Sequence, residues 1–384
     1  MSVIKFLFKI SFMFILPLVA NAQMWTTKNN WNESWEKQYE FWILNDVKDN
    51  IFITGNIATD CADAVIALRL IFSREHQLPF YFNLSDGKVA TNLSKTEFGT
   101  SDLSLKWFDD IRFKKFLKDV LTKSSSKTLL HNSYSVGINN KSLRAGAFFI
   151  HDYENSRHVE IVSKVDWSGR SQVLTMMSST VPAEVRTLRT YPFYYSTYPN
   201  INKSGFMKFK WAYETNDQQK IVQLDKMPDY SNEQYEMKSN YKSFDAAISF
   251  KILGYEIKND VKIHELFEAL LLKINQRVLL VNQGYEACRV SKCAEGSDRY
   301  YDYSTPSRDG SIGYTVLLID QIINSEIADG SYEAVSAIYQ TYLSMDVKIS
   351  NNQSLRLYDI LSLWKSGQYS SNPNDSIQKR WGQQ

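Results

Sequence analysis

The chain is expected to fold as α+β, with a helix packed on an antiparallel sheet followed by a mostly α-helical region. Three patterns carry that expectation. Ala64, Val65, Leu68, Ile71 and Phe72 recur at helical spacing, whereas His158 to Val165 alternates with period two. Val261, Leu266, Phe267, Leu270, Leu271, Ile274, Val278 and Val281 then trace a long amphipathic helix.

At the start, Lys5 and Lys9 precede an apolar run from Ile10 to Val19 that ends in Ala20-Asn21-Ala22. This is the pattern of a secretory signal peptide over residues 1–22, cut after Ala22, and the apolar run is too short to span a bilayer. A secreted or periplasmic protein with no membrane span after cleavage is therefore expected. Next, Asn50 to Ile57 is β-branched and aromatic and reads as extended until Gly55. Asp60 and Asp63 form a reciprocal cap at the head of the helix that begins at Cys61, and Leu78-Pro79 ends it. A further helix is expected over 105–121. Strands are expected at Gly146–Ile150, His158–Val165 and Gln172–Met177, the last two joined by a tight turn at Ser168-Gly169. The Tyr-, Pro- and Asn-rich stretch from Pro192 to Phe206 marks a domain boundary, dividing 23–206 from a helical domain of unassigned role over 207–384. In that second part, helices are expected at 314–327, 332–345 and 355–364.

Charge excludes some partners. The chain has 44 Lys and Arg against 42 Asp and Glu, and 44 less the two signal lysines leaves 42 of each sign. No clustered positive charge points to nucleic acid or an anionic membrane. Cys288 and Cys293 are close enough in sequence to form a disulfide in an oxidising compartment. Cys61 is then the odd thiol.

A cysteine at a helix N-terminus meets free backbone N–H groups and the positive end of the dipole, which favour the thiolate. Asp60 opposes this, so a histidine partner is needed. His76 lies at the far end of the same helix, about 22 Å away at 1.5 Å per residue. His131 sits in a polar loop, His151 at a strand end and His264 in the second domain, which leaves His158. If Ser168-Gly169 is a two-residue turn, opposed residues have numbers summing to 337. That register sets Ser179 opposite His158 and Thr175 opposite Val162, making these the nearest cross-strand candidates for the site. Asp166 is roughly 26 Å along the strand, and Glu160 shares the imidazole's face but lies one pleat away.

With Asp60-Cys61-x-x-x-Val65, the apolar helix to Leu78-Pro79, Gly146-Ala147-Phe148-Phe149 and His158-Val159-Glu160-Ile161-Val162, the stretch 50–180 resembles the NlpC-type cell-wall endopeptidases of the papain-like superfamily. It departs from their pattern at Ala62-Asp63, Ala147 and Glu160, and its cysteine-to-histidine spacing of 97 (158 − 61) is long. The same residues also resemble transglutaminase-like proteins. What the resemblance implies is a papain-like domain using Cys61 as nucleophile and His158 as base, without a cofactor or metal, on an amide bond in peptidoglycan stem peptides or another envelope peptide. Two alternatives stand beside it: an inactive envelope binding or scaffold protein of the same fold, and a transglutaminase-like peptidase or transferase. The aromatic run Tyr191, Phe193, Tyr194, Tyr195 and Tyr198 is expected to serve packing rather than a ligand groove.

Overall fold

Two hydrophobic clusters organise the chain, one drawn from residues between Met24 and Ile257 and the other from residues between Ile263 and Trp381. The structure, a computed structural model, describes residues 23–94, 98–153, 156–166, 173–179, 183–193, 195, 197–215 and 218–383. The signal segment 1–22, the expected turn at Ser168-Gly169 and Tyr194 lie outside the described residues.

The first cluster is built from helices α1 (Glu33–Asn45), α2 (Ile51–Gly55) and α3 (Cys61–Glu75), the hairpin β1 (Tyr81–Asn83) and β2 (Val89–Thr91), and helices α4 (Ile111–Thr122) and α5 (Ser126–His131). A six-stranded sheet follows, made of β3 (Ser133–Ser135), β4 (Phe148–Tyr153), β5 (Ser156–Val165), β6 (Leu174–Ser178), β7 (Arg189–Pro192) and β8 (Gly205–Phe209). Its strands run in the order β3-β8-β4-β5-β6-β7, and every pairing is antiparallel. The α+β class expected from the sequence is present. The 206 boundary, however, falls within β8, a strand inserted between β3 and β4. The apolar run Gly205–Phe209 therefore completes the first sheet, and the two clusters separate at 258–262 instead.

A small hairpin of β9 (Ala212–Thr215) and β10 (Gln218–Ile221) leads to α6 (Phe244–Leu253). The second cluster comprises α7 (Asn259–Cys288), α8 (Asp298–Tyr303), α9 (Pro306–Ala328), α10 (Glu333–Leu343), the hairpin β11 (Asp346–Ser350) and β12 (Gln353–Arg356), α11 (Leu357–Lys365) and α12 (Ile377–Arg380). The expected helices appear as α7, α9, α10 and α11. The β11–β12 hairpin was not expected, and Asn50–Ile57 holds the short helix α2 rather than an extended run. Its β-branched composition favours extended backbone, but Asn56 in the left-handed region caps a helical turn there.

Helix α3 is the centre of the first cluster. The Asp60 carboxylate accepts from the Asp63 N–H at 2.9 Å, and the Asp63 carboxylate accepts from the Asp60 N–H at 3.1 Å, the reciprocal cap the sequence implied. Every residue from Cys61 to Arg74 is buried, so the helix is enclosed on all sides rather than along one face. Two arginines are carried inside with partners. Arg69 pairs with Glu36 at 2.5 Å and lies 3.2 Å from the Trp31 ring, while Arg74 pairs with Asp110 at 3.0 Å. In the second cluster, Arg277 pairs with Asp309 at 2.6 Å and stacks on Trp381. Cys288 and Cys293 are disulfide-bonded. Closing so short a loop contributes about 2 kcal/mol by the chain-entropy relation. Among the described residues, no helix is long and apolar enough to cross a membrane.

Candidate active site

The Cys61 thiol stands in the first turn of α3, where its own amide, that of Ala62 and that of Val159 all stabilise a negative sulfur. Val159 follows His158 directly, so the sulfur rests against the peptide joining the two. The ladder explains the opening it occupies. The last β5–β6 pair is Ile161 with Met177; beyond it the Ser178 hydroxyl donates to the Val159 carbonyl at 2.6 Å and the Ser179 hydroxyl to the Thr59 carbonyl at 2.7 Å. Strand β6 thus leaves β5 where the head of α3 enters.

Burial dominates the thiol's acidity. Cys61 is 4% exposed, and loss of water, followed by the Asp60 charge, pushes its pKa up to about 12 against the three backbone contacts. Burial also raises Asp63 to about 7, with Asp60 adding to it.

The imidazole is held from the other side. His151 and His158 face each other in the β4–β5 register and their rings stack at 5.9 Å. Glu160, one pleat further along β5, reaches back between them. Its carboxylate lies 3.0 Å from His151 Nε2 and 3.6 Å from His158 Nε2, the second a charge contact longer than a hydrogen bond. Side chains two apart on a strand lie on one face, and a glutamate is long enough to span the step. Burial lowers the His158 pKa to about 4, and the neighbouring His151 and Arg189 charges oppose the rise that Glu160 causes. With sulfur near 12 and imidazole near 4, the proton stays on sulfur and the resting pair is neutral.

Comparison with protein-family models, curated proteins and solved structures finds no match.

Cys61 and the His158 backbone are therefore adjacent. Thr175 pairs with Lys164 rather than Val162, because the ladder next to the β5–β6 connection has pairs summing to 339 and not the 337 of a two-residue turn; a bulge between Val162 and Lys164 then changes the sum by one. The upper part of the ladder has pairs summing to 338, which shifts Ser179 off the position opposite His158. The side chain that meets the imidazole is Glu160. Sequence reasoning set it aside for distance and missed His151, although a two-residue connection at 154–155 makes pair numbers sum to 309 and sets 151 opposite 158.

The second cluster also reaches this face of the sheet. Tyr314 of α9 lies 6.4 Å from the His151 ring, and α7 packs beside β7. Lys273 of α7 donates to Thr315 Oγ1 at 2.7 Å; burial, with Arg189 nearby, lowers its pKa to about 8 while Glu160 opposes the fall. Phe193 packs on Phe149, His151 and Phe206, and Tyr198 donates to the Tyr241 and Ser243 carbonyls. These aromatics of the 191–198 run pack internally. Among the described residues no cluster of His, Cys, Asp and Glu is arranged to hold a metal ion.

Proposed function

We propose that Cys61, His158 and Glu160 form a papain-like cysteine hydrolase site at rest, in an exported protein that acts on an amide bond of peptidoglycan stem peptides or another envelope peptide. One observation carries this reading: a thiol at a helix N-terminus lies against the His158 peptide while the Glu160 carboxylate stands 3.6 Å from His158 Nε2.

In the reaction, sulfur attacks the amide carbonyl as its proton passes to His158, giving a tetrahedral oxyanion that the Cys61 and Ala62 amides are placed to stabilise. Collapse expels the amine, which takes the proton from His158. Water then adds to the thioester with His158 again as base, releasing the acid and the thiol. A bound carbonyl must draw the sulfur and imidazole together, because the resting acidities keep them uncharged.

The burial of Cys61 and its raised pKa favour a second reading, an inactive envelope scaffold that keeps the fold. Residues 23–384 incubated with purified sacculi and with synthetic stem peptides separate the two. Mass-resolved products that vanish in Cys61→Ala support the hydrolase; their absence from the wild type leaves the scaffold. Amine incorporation in place of hydrolysis identifies the transglutaminase-like alternative.

A further inference from the structure

The His151 and Glu160 side of the thiol site lies under the second cluster, and three side chains of that cluster stand against it. Tyr314 of α9 lies 6.4 Å from the His151 ring. Lys273 of α7 is within electrostatic reach of Glu160 and Arg189, and Arg308 at the start of α9 is within reach of Glu184 and Arg186. Glu184 forms the backbone bridge to Thr59, two positions before Cys61. Beneath them His151 is 0% exposed, Glu160 3% and Cys61 4%. His158 alone of the four keeps a surface, 27% of its side chain.

The seam between the clusters is not a shared core. Among the described residues, no buried apolar side chain belongs to both clusters. The ion pairs that cross it are Lys242 with Asp329, both exposed, and the buried Lys262 with Asp245 at 2.7 Å and Glu256 at 3.6 Å. A cavity of about 220 Å³ lies in the seam, with Asp245 and Glu256 on one side and Leu318 and Gln321 on the other. Domains joined through polar, loosely packed contacts move as bodies, whereas a large apolar interface holds them together. The chain crosses between the clusters at 254–258. Gly254 ends α6 with φ +83°, open space surrounds its Cα, and Tyr255 is 48% exposed. A few element-terminal residues in the open are what a hinge needs.

We propose that the second cluster is a closed cover over the Cys61 and His158 site, opening about the 254–258 connection to admit substrate. Its purpose rests on the hydrolase reading; its test does not. Opening withdraws Tyr314, Lys273 and Arg308 from the sheet together and returns water to Glu160 and Cys61, while α3 and the sheet stay folded.

The test loosens the seam from its exposed edge. In residues 23–384, Lys242→Glu sets a fourth acid beside Asp329, Glu326 and Glu256. Labelling by uncharged N-ethylmaleimide reads the result, because Cys61 is the free thiol among the described residues. It should run about fivefold faster than in the wild type at low salt, an attractive surface pair having become a repulsive one. The gain should fade in about 1 M sodium chloride, where charges are screened beyond about 3 Å. Tyr314→Ala removes a ring contact and should speed labelling about three- to tenfold at either salt concentration. Hydrogen exchange should quicken at 184–190 and 308–316 together while α3 keeps its protection. If Tyr314→Ala does not fold, Lys242→Glu decides alone. A folded variant of either kind that labels at the wild-type rate, or a Lys242→Glu gain indifferent to salt, overturns the cover. Faster labelling without products from sacculi or stem peptides ends the hydrolase reading and leaves the cover standing.

Discussion

Replacing Asp60 with asparagine isolates the electrostatic part of the Cys61 environment. Asparagine caps a helix as well as aspartate, and the Asp63 carboxylate can still accept from the N–H of residue 60, so α3 keeps its start. What changes is one negative charge beside the sulfur, the second cause of its raised pKa after burial. Moving a thiol from 9.0 to about 12 lowers its thiolate fraction near neutrality about a thousandfold. Greater nucleophilicity of the more basic thiolate restores about 25-fold of that, so alkylation should run about 40-fold slower than for a free cysteine. In Asp60→Asn the rate should rise roughly three- to fourfold for each unit by which the pKa falls. Iodoacetamide labelling followed by intact mass between pH 6 and 10 reads both numbers. Two results refute the reasoning: an unchanged rate in Asp60→Asn, or wild-type labelling at pH 6 that outpaces a free thiol and collapses in His158→Ala. The latter means a thiolate–imidazolium pair already exists at rest.

Other outcomes follow from the same geometry. His158, lowered to about 4, favours the fold above its unfolded value of 6.5 and loses that contribution as pH falls to 4, whereas Asp63, raised from 3.8 to about 7, favours the fold at low pH and loses it as pH rises. The two oppose each other between pH 4 and 6.5, so in Asp63→Asn the stability from urea unfolding should climb with pH across that window, by roughly 3 kcal/mol at most. A flat profile in that variant argues against an imidazole held neutral in the fold. Glu160→Ala leaves the His151 ring without the buried carboxylate 3.0 Å from its Nε2 and should cost roughly 1–3 kcal/mol by chemical denaturation, an unchanged midpoint refuting the contact. Arg277→Met removes the cation from the buried Asp309, leaving it the Thr305 and Ser371 hydroxyls, and should cost roughly 3–5 kcal/mol, a loss of under 1 kcal/mol showing that those hydroxyls suffice. Reducing the Cys288–Cys293 bond should remove about 2 kcal/mol, seen as a fall of roughly 4–8 °C in melting temperature; no shift means that the short loop is held by its other contacts.

The capped start of α3, its proline-directed end and the alternation of β5 were legible because each depends on neighbours in sequence. So were the long helices of the second cluster, whose apolar spacing repeats over several turns. Less legible was anything set by partners far along the chain. Phe206 reads as the end of a linker and Met207 as the start of the helical domain because nothing local says that they pair with Phe149 and Phe148. Thr175 and Ser179 miss their expected opposites because pairs next to the β5–β6 connection sum to 339 and those beyond the Val162/Lys164 bulge to 338, and an alternating pattern carries no mark of either. Glu160 was visible, but its reach to two imidazoles depended on His151 arriving from the neighbouring strand. Lys273 and Tyr314 come from the other cluster and had no local signal at all.

The late insertion of β8 has a consequence for how this protein is made. Strands β3 and β4 are separated by the 12 residues 136–147, yet neither can complete its hydrogen bonding until residues 205–209 arrive, well after β5, β6 and β7 have been synthesised. During that interval one side of β4 is an unsatisfied edge open to other chains. Closure then depends on a long-range contact, which slows assembly. A nascent chain kept from folding until residue 209 has emerged escapes this hazard, whereas one released near residue 200 meets it in full.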